Sequence, residues 1–545
     1  MRRSFRWLSG VHAVVLAASA LLAACSGGNT RVQEGNATGV LHYGNGAEPQ
    51  AIDPHLTSGV PEAHIIDSLF EGLVSKDPET LEPVPGVAER WEVSPDGLTY
   101  RFHLRADARW SDGTPLTAED FRWSWWRGLQ PALGNDSAYM MFPLKNAEAY
   151  LKGEITDFDQ VGVRVIDPRT LEVELGAPTP YFLQLVAHAS YYPVPRHVIE
   201  KFGAPADRFT RWTRVGNIVS NGAYRLAEWK LNRYVRVERN PEYWDAANVR
   251  LNAVMFYVTE NIVTEERLFR SGQLHYTTDI PLDKIPVYRR EAPELLRQDL
   301  YLSTYFYMLN VTRPGLDDAR VRRALAMTVD RQTLVDTVLQ GVNVPAYAMT
   351  PPGTLGYQPP KLFDFDPEAA RKLLAEAGYP DGKGLPPLEV VYNTHEGHRK
   401  IAVAIQQMWK KHLNIDVTIV NQEWKVFLDT RQHGEFSISR HGWQGDYVDP
   451  NTFLDLFITG GGNNNGKWSN ARYDELILRK LPAARTQEER FAIFHEAETI
   501  LMEEMPVIPL YTYVTKHLVS PGVKGMAPNI LDFYSFKHIY VEPAK

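Results

Sequence analysis

The sequence predicts an α/β protein of more than one domain, on three observations. The first 300 residues are dominated by short segments of period-two alternation, the pattern of half-buried strands. From about residue 303 longer helices alternate with short strands, the signature of an α/β domain, which puts a domain boundary near 300. The length, 545 residues at 44% apolar and 23% charged, is ample for three or four domains of about 150 residues each.

The chain opens with MRRSFRWLSGVHAVVLAASALLAA: three arginines, no acid, then an apolar run from Val11 to Ala24. That run is shorter than the roughly 20 residues that span a bilayer and reads as a signal peptide over residues 1–24. Leu22-Ala23-Ala24-Cys25 resembles a bacterial lipoprotein box, which implies that Cys25 becomes a lipidated N-terminus. An ordinary signal peptide with a cysteine at its edge, or twin-arginine export from Arg2-Arg3, are the alternatives. All three place the protein outside the cytoplasm. Residues 25–39 are expected as a lipidated tether, rich in Gly, Asn and Thr. Removing residues 1–24 leaves an acidic chain of formal charge −11.

Strands are expected at Thr99–Leu104 and Leu171–Leu175, and a hairpin from Tyr224–Trp229 and Tyr234–Glu238. Asp112-Gly113 marks a turn, and Thr117-Ala118-Glu119-Asp120 resembles a capping box opening a helix with Trp123, Trp125 and Trp126, read as packing residues. In the second half Asp366 caps a helix with Pro367 in its first turn and a stop at Gly378. A strand at Leu388–Tyr392, a helix at Gly397–Leu413 and a strand at Ile415–Val420 then form a βαβ unit. A helix from Trp424 to Gln432 and a strand from Phe436 to Arg440 continue it, with right-handed crossovers. Ligands of open α/β sheets bind beyond the carboxyl ends of the strands. His398, Arg440, Trp443 and Asp446 converge there, the last two in the loop after the strand.

Several chemistries are excluded or unsupported. The acidic balance argues against nucleic acid, which needs a basic stripe. One cysteine excludes intrachain disulfides, a thiolate zinc cage and CxxC redox chemistry. His395-Glu396-Gly397-His398 spaces its histidines three apart, one short of HExxH, so no metal is expected. GGNNNGK at 461–467 lacks the hydroxyl that would follow a P-loop lysine and reads as a flexible loop. The GNGAEP string at 44–49 breaks a dinucleotide fingerprint at its third glycine, and no GxSxG occurs. No cofactor and no catalysis are expected.

Four strings remain: LFEGLVSKDPETLEPVPGVAERWEVSPDGLTYRFHLRADARWSDGTPLTAEDF at 69–121, NGAYRLAEWK at 221–230, RNPEYWD at 239–245 and GWQGDYVDPNTFL at 442–454. They resemble the periplasmic oligopeptide-binding proteins of the family 5 solute-binding class, and the resemblance runs from about residue 40 to 540. It implies an α/β, bilobal, periplasmic-binding-protein-like fold with an additional inserted domain. Domain I would comprise 40–70, 196–302 and 514–545, the inserted domain II 71–195, and domain III, an α/β lobe, 303–513. The lobes would shut over the ligand by hinge motion.

The resemblance also implies a site. Asp446 would pair with the α-ammonium of a peptide, the alternative being a loop acid that caps the turn before Asp449-Pro450. Arg440, Arg431 and His398 would take ligand carboxylates of different reach. An intralobe salt bridge is the alternative for Arg440, and a solvated side chain for Arg431 and His398. The peptide backbone would pair like an added strand with Ser58, Gly59 and Val60 and with Gly442, Trp443 and Gln444. Roomy, wet side-chain pockets would be lined by Trp424, Trp443 and Tyr513, unless these are core aromatics. Ser58 stands where related binders carry an acid and Leu339 near the place of a lysine, which leaves preference for basic and longer peptides open. The function implied is an extracytoplasmic lipoprotein, a monomer anchored to a membrane by lipid. It would capture short peptides with little side-chain selectivity and deliver them to a membrane-embedded ABC permease with its ATPase subunits. The alternatives are murein-derived peptides or another small solute on the same scaffold, and an extracytoplasmic hydrolase.

Overall fold

The computed structural model describes residues 29–57 and 59–542; the expected signal peptide 1–24, the lipidation candidate Cys25 and the site candidate Ser58 lie outside them. Among the described residues no helix is long and apolar enough to cross a membrane.

The end of the expected tether is a correction. Arg31–Thr38 form a helix, opened by a reciprocal capping box in which Thr30 Oγ1 accepts from the Gln33 N–H and Gln33 Oε1 from the Thr30 N–H. It ends at Gly39, in the left-handed region (φ 69°), and Gly35 packs so closely that a Cβ there would lie 2.4 Å from the Val40 carbonyl. Composition pointed to a linker; the Thr-x-x-Gln spacing, read locally, gives the helix.

Three sheets carry the architecture. In the first, Val40–Gly44 runs parallel to Ala253–Tyr257, which pairs antiparallel with Tyr234–Arg239 and through it with Tyr224–Lys230. The last two form the expected hairpin. The second is antiparallel, in the order Ala88–Val93, Thr99–Leu104, Thr170–Glu174, Val163–Asp167. Beside it lies the Ala118–Gly128 helix, where the Asp120 carboxylate accepts the Thr117 N–H and hydroxyl. Trp123 and Trp125 of that helix are buried. A buried ion pair ties this helix to the first segment: Arg127 Nη2 lies 2.7 Å from Asp53 Oδ2, which also accepts from Trp212 Nε1.

The third sheet is mixed and six-stranded, in the order Val344–Pro345, Val507–Val514, Leu300–Leu309, Ile438–Gln444, Leu388–Asn393, Val417–Gln422. The βαβ unit is present: 388–393 and 417–422 are parallel and joined by the Glu396–Leu413 helix. The preceding Pro367–Glu376 helix is capped by Asp366, whose Oδ1 accepts from the N–H groups of Glu368 and Ala369. The buried stripe of 396–413 runs through Ile401, Ile405 and Trp409, whose indole reaches in to donate to the Leu325 carbonyl (2.9 Å), while Ala404 and Met408 are only partly covered. One expectation shifts. The strand expected to stop at Arg440 continues through Gln444, since antiparallel pairing with 303–309 holds it in register. The 461–467 loop is built rather than loose: Asn464 is buried and donates to the carbonyls of Phe457, Ile458 and Trp468.

Candidate functional site

The 438–444 strand positions the site. On one side it pairs with 303–309 along its whole length; on the other, Leu388–Asn393 meets only Ile438 and Ser439. From Arg440 to Gln444 that second edge has no strand partner among the described residues, leaving main-chain donors and acceptors for an incoming strand. The end of this edge opens on a cavity of about 200 Å³ shared by Gly59, Val60, Gly442, Trp443, Gln444 and Asp446 with the missed residues Asp67, Lys76 and His188.

Asp446 supplies the negative end. Its N–H donates to Thr452 Oγ1 (3.0 Å), which fixes the turn, while its carboxylate caps nothing. Oδ1 lies 3.6 Å from His188 Nε2. Burial pushes the His188 pKa down to about 3, so that ring is uncharged. Burial raises the Asp446 carboxyl to about 7, against the pull of Lys76. The expected alternative, a loop acid capping the 449–450 turn, is not what the hydrogen bonds show.

Arg440 supplies the positive end. Nη2 donates to the Tyr513 hydroxyl (2.9 Å) and Nη1 to Asn393 Oδ1 (3.3 Å), and Cζ lies 5.0 Å from the centroid of the Tyr305 ring. Nε is buried without a partner, and no carboxylate forms an ion pair with this guanidinium among the described residues, so the intralobe salt bridge is absent. Burial works against its charge and the surrounding tyrosines outweigh that, so its pKa rises. Arg431 is half-buried, its Cζ 5.7 Å from the Phe427 centroid; burial, then repulsion by Arg440, lowers its pKa to about 10. Two half-buried guanidiniums that repel each other leave positive charge that an anion would relieve.

His398 is a buried helical residue and not a solvated loop side chain. Burial, then Arg440 and His395, hold its pKa well below the ordinary value, so it offers a neutral ring beside Tyr305 and no charge to a carboxylate. Trp443 lines the cavity with a buried, unpartnered Nε1. Trp424 stacks on Phe427 and reaches Gly59, where a Cβ would lie 3.2 Å from its Cζ2. A Cβ at Gly442 would fall 2.9 Å from the Tyr513 hydroxyl, so any side chain there pushes that hydroxyl aside. Val60 is 48% exposed at the rim. The Gln444 amide is already engaged, accepting from the Tyr301 hydroxyl and donating to the Leu531 carbonyl, so only its main chain can serve a ligand. Leu339 is buried. Lys76 ends a strand, Asp67 sits on the Val60–Leu69 helix and His188 in a bend, and no local pattern in the sequence marks their meeting. Among the described residues no cluster of three or more His, Cys, Asp or Glu side chains is arranged to hold a metal.

The geometry has close counterparts. The periplasmic oligopeptide-binding protein OppA of Escherichia coli K12 is 39% identical over 528 residues, 94% of this chain and 95% of that protein. The Haemophilus influenzae OppA structure in complex with RPPGFSPFR superposes with a TM-score of 0.87 at 36% identity, covering 92% of this chain and 99% of the other. The Escherichia coli murein tripeptide-binding protein MppA gives 0.88 at 35% identity, covering 92% and 98%, whereas its unliganded open form gives 0.62, covering 92% and 97%. At equal identity, the chain superposes better on the first MppA structure than on the unliganded open form. The sequence profile of the bacterial extracellular solute-binding proteins, family 5 middle region, matches residues 82–465. On profile, identity and superposition alike, the chain belongs to the family 5 bacterial extracellular solute-binding proteins.

Proposed function

We propose that this protein captures short peptides outside the cytoplasm, with little side-chain selectivity, and hands them to an ABC permease. One observation carries the reading: an unpaired carboxylate, Asp446, and an unpaired guanidinium, Arg440, stand along one open strand edge. Five residues lie between them, a span of roughly 20 Å between their Cα atoms at most. Allowing for the reach of both side chains, that suits a zwitterionic ligand of about three to five extended residues. Pairing through the main chain supplies affinity that is indifferent to side chains. Asp446 holds the ligand amine, Arg440 and then Arg431 hold its carboxylate, and Trp424, Trp443 and Tyr513 bound the side-chain pockets.

The division into domains 40–70 with 196–302 and 514–545, 71–195, and 303–513 belongs to this reading, as do the lipid anchor on Cys25 and a monomeric state. The protein acts as a receptor and not as an enzyme. Similarity to a murein tripeptide binder supports a second ligand class, cell-wall peptides, on the same two charges. Native mass spectrometry of the purified protein, with calorimetry using trialanine, tests the reading. Co-purifying peptides and saturable trialanine binding are expected; the absence of both would overturn it.

A further inference from the structure

Lys76 ends the Val74–Lys76 strand and lines the same cavity as Asp446, with Nζ 5.2 Å from the centroid of the Phe533 ring. Among the described residues its ammonium forms no hydrogen bond and no ion pair, although Asp67 and Asp446 both act on it through space. The other titratable groups facing it are occupied or uncharged. Asp67 accepts from the Tyr192 hydroxyl (3.1 Å), and Asp532 from His517 (3.2 Å) and the Tyr534 hydroxyl. His64 bonds Asn45 Oδ1 (2.9 Å), and His188 is neutral. The Lys76 ammonium therefore lines this cavity with Asp446 as its one carboxylate neighbour without a hydrogen bond among the described residues, at no ion-pair distance from it, and a ligand can supply the missing acceptors.

We propose that Lys76 is a specificity residue that receives a carboxylate carried by the ligand close to its amino end, so that this receptor prefers an acidic residue at the first or second position. The inference rests on the reading that Asp446 holds the ligand ammonium. The two side chains then present a minus and a plus in one cavity, matching an ammonium and a nearby carboxylate on the ligand. Each ligand charge is met by an opposite one, so the cost of removing both from water is offset at both points. A basic first residue meets Lys76 with like charge and loses affinity.

Calorimetry with trialanine, Glu-Ala-Ala, Ala-Glu-Ala and Lys-Ala-Ala tests this on the wild type and on Lys76→Met, with Lys76→Gln as a second variant. At least one glutamate peptide is expected to bind about tenfold tighter than trialanine to the wild type, and Lys-Ala-Ala more weakly, with the glutamate preference gone in both variants. Which glutamate peptide gains tells which position Lys76 reads. Equal affinity of trialanine and both glutamate peptides for the wild type overturns the proposal without needing either variant to fold, as does a preference that both variants keep. If none of the four binds, peptide capture itself fails, and the proposal with it.

Discussion

The carboxylate of Asp446 lies 3.6 Å from Nε2 of His188 and gains no counter-charge from it, because burial holds that imidazole neutral. Burial also lifts the folded-state carboxyl to about 7, above the roughly 3.9 of an unfolded chain. Between those values the folded state keeps a proton that the unfolded state releases, so stability declines as pH climbs from about 4 to about 7 and stays reduced above. Asp446→Asn is therefore expected to stabilise the ligand-free protein at pH 8 by something on the order of 1–4 kcal/mol and to make no difference near pH 4. Thermal melts of both proteins at the two pH values check it; a variant less stable at pH 8 speaks against an unpaired carboxylate.

Capturing an ammonium requires the ionised carboxylate, so binding at pH 6 has to expel the Asp446 proton. Calorimetry in buffers of differing ionisation enthalpy is expected to show close to one proton released per ligand at pH 6 and none at pH 8, with affinity falling about tenfold per pH unit below 7. Binding at pH 6 without proton release contradicts this.

Arg440 meets tyrosine and asparagine oxygens but no carboxylate, so its charge is free for the ligand. Arg440→Met is expected to cost about 2–5 kcal/mol for tripeptides with a free carboxyl end, and far less for their C-terminal amides. Equal losses for both would show that the guanidinium reads something else.

Gly442 can be probed by a single methyl. In Gly442→Ala the new Cβ falls 2.9 Å from the Tyr513 hydroxyl and 3.3 Å from Arg440 Nη2, so the pair must part. Because Arg440 and Tyr513 are both half-buried and not core residues, the melting temperature is expected to hold while peptide affinity drops about tenfold, the worth of one charge-assisted hydrogen bond. Unchanged affinity, with the pair still intact in a crystal structure of the variant, would remove Gly442 from the site.

The sequence made local rules legible and left distant ones hidden. Asp366, Thr117 and the 388–422 βαβ unit follow from capping and periodicity, which act over a few residues, and the structure has each of them. The helix at 31–38 obeys the same rule but was outweighed by composition. The extension of the 438–444 strand past Arg440 was not readable, because a glycine sits at 442 and the register comes from residues 303–309, more than 130 positions away. Asp446, Arg440 and Trp443 were legible through the GDYVDPNTFL string and its neighbourhood. Lys76, Asp67 and His188 were not, since only folding brings them to one cavity. His398 was placed correctly by the βαβ unit, but its burial, and with it the loss of charge, depends on Arg440 and Tyr305 from other strands.

The claim that everything else depends on is that Asp446 faces the free amine of the ligand. Titration calorimetry of trialanine against its N-acetylated form, with wild type and Asp446→Asn, tests it most directly. Acetylation is expected to cost the wild type about 2–5 kcal/mol and the variant little, the usual range for stripping one partner from a buried charge pair. Equal affinity of the wild type for the free and acetylated peptides would contradict the account.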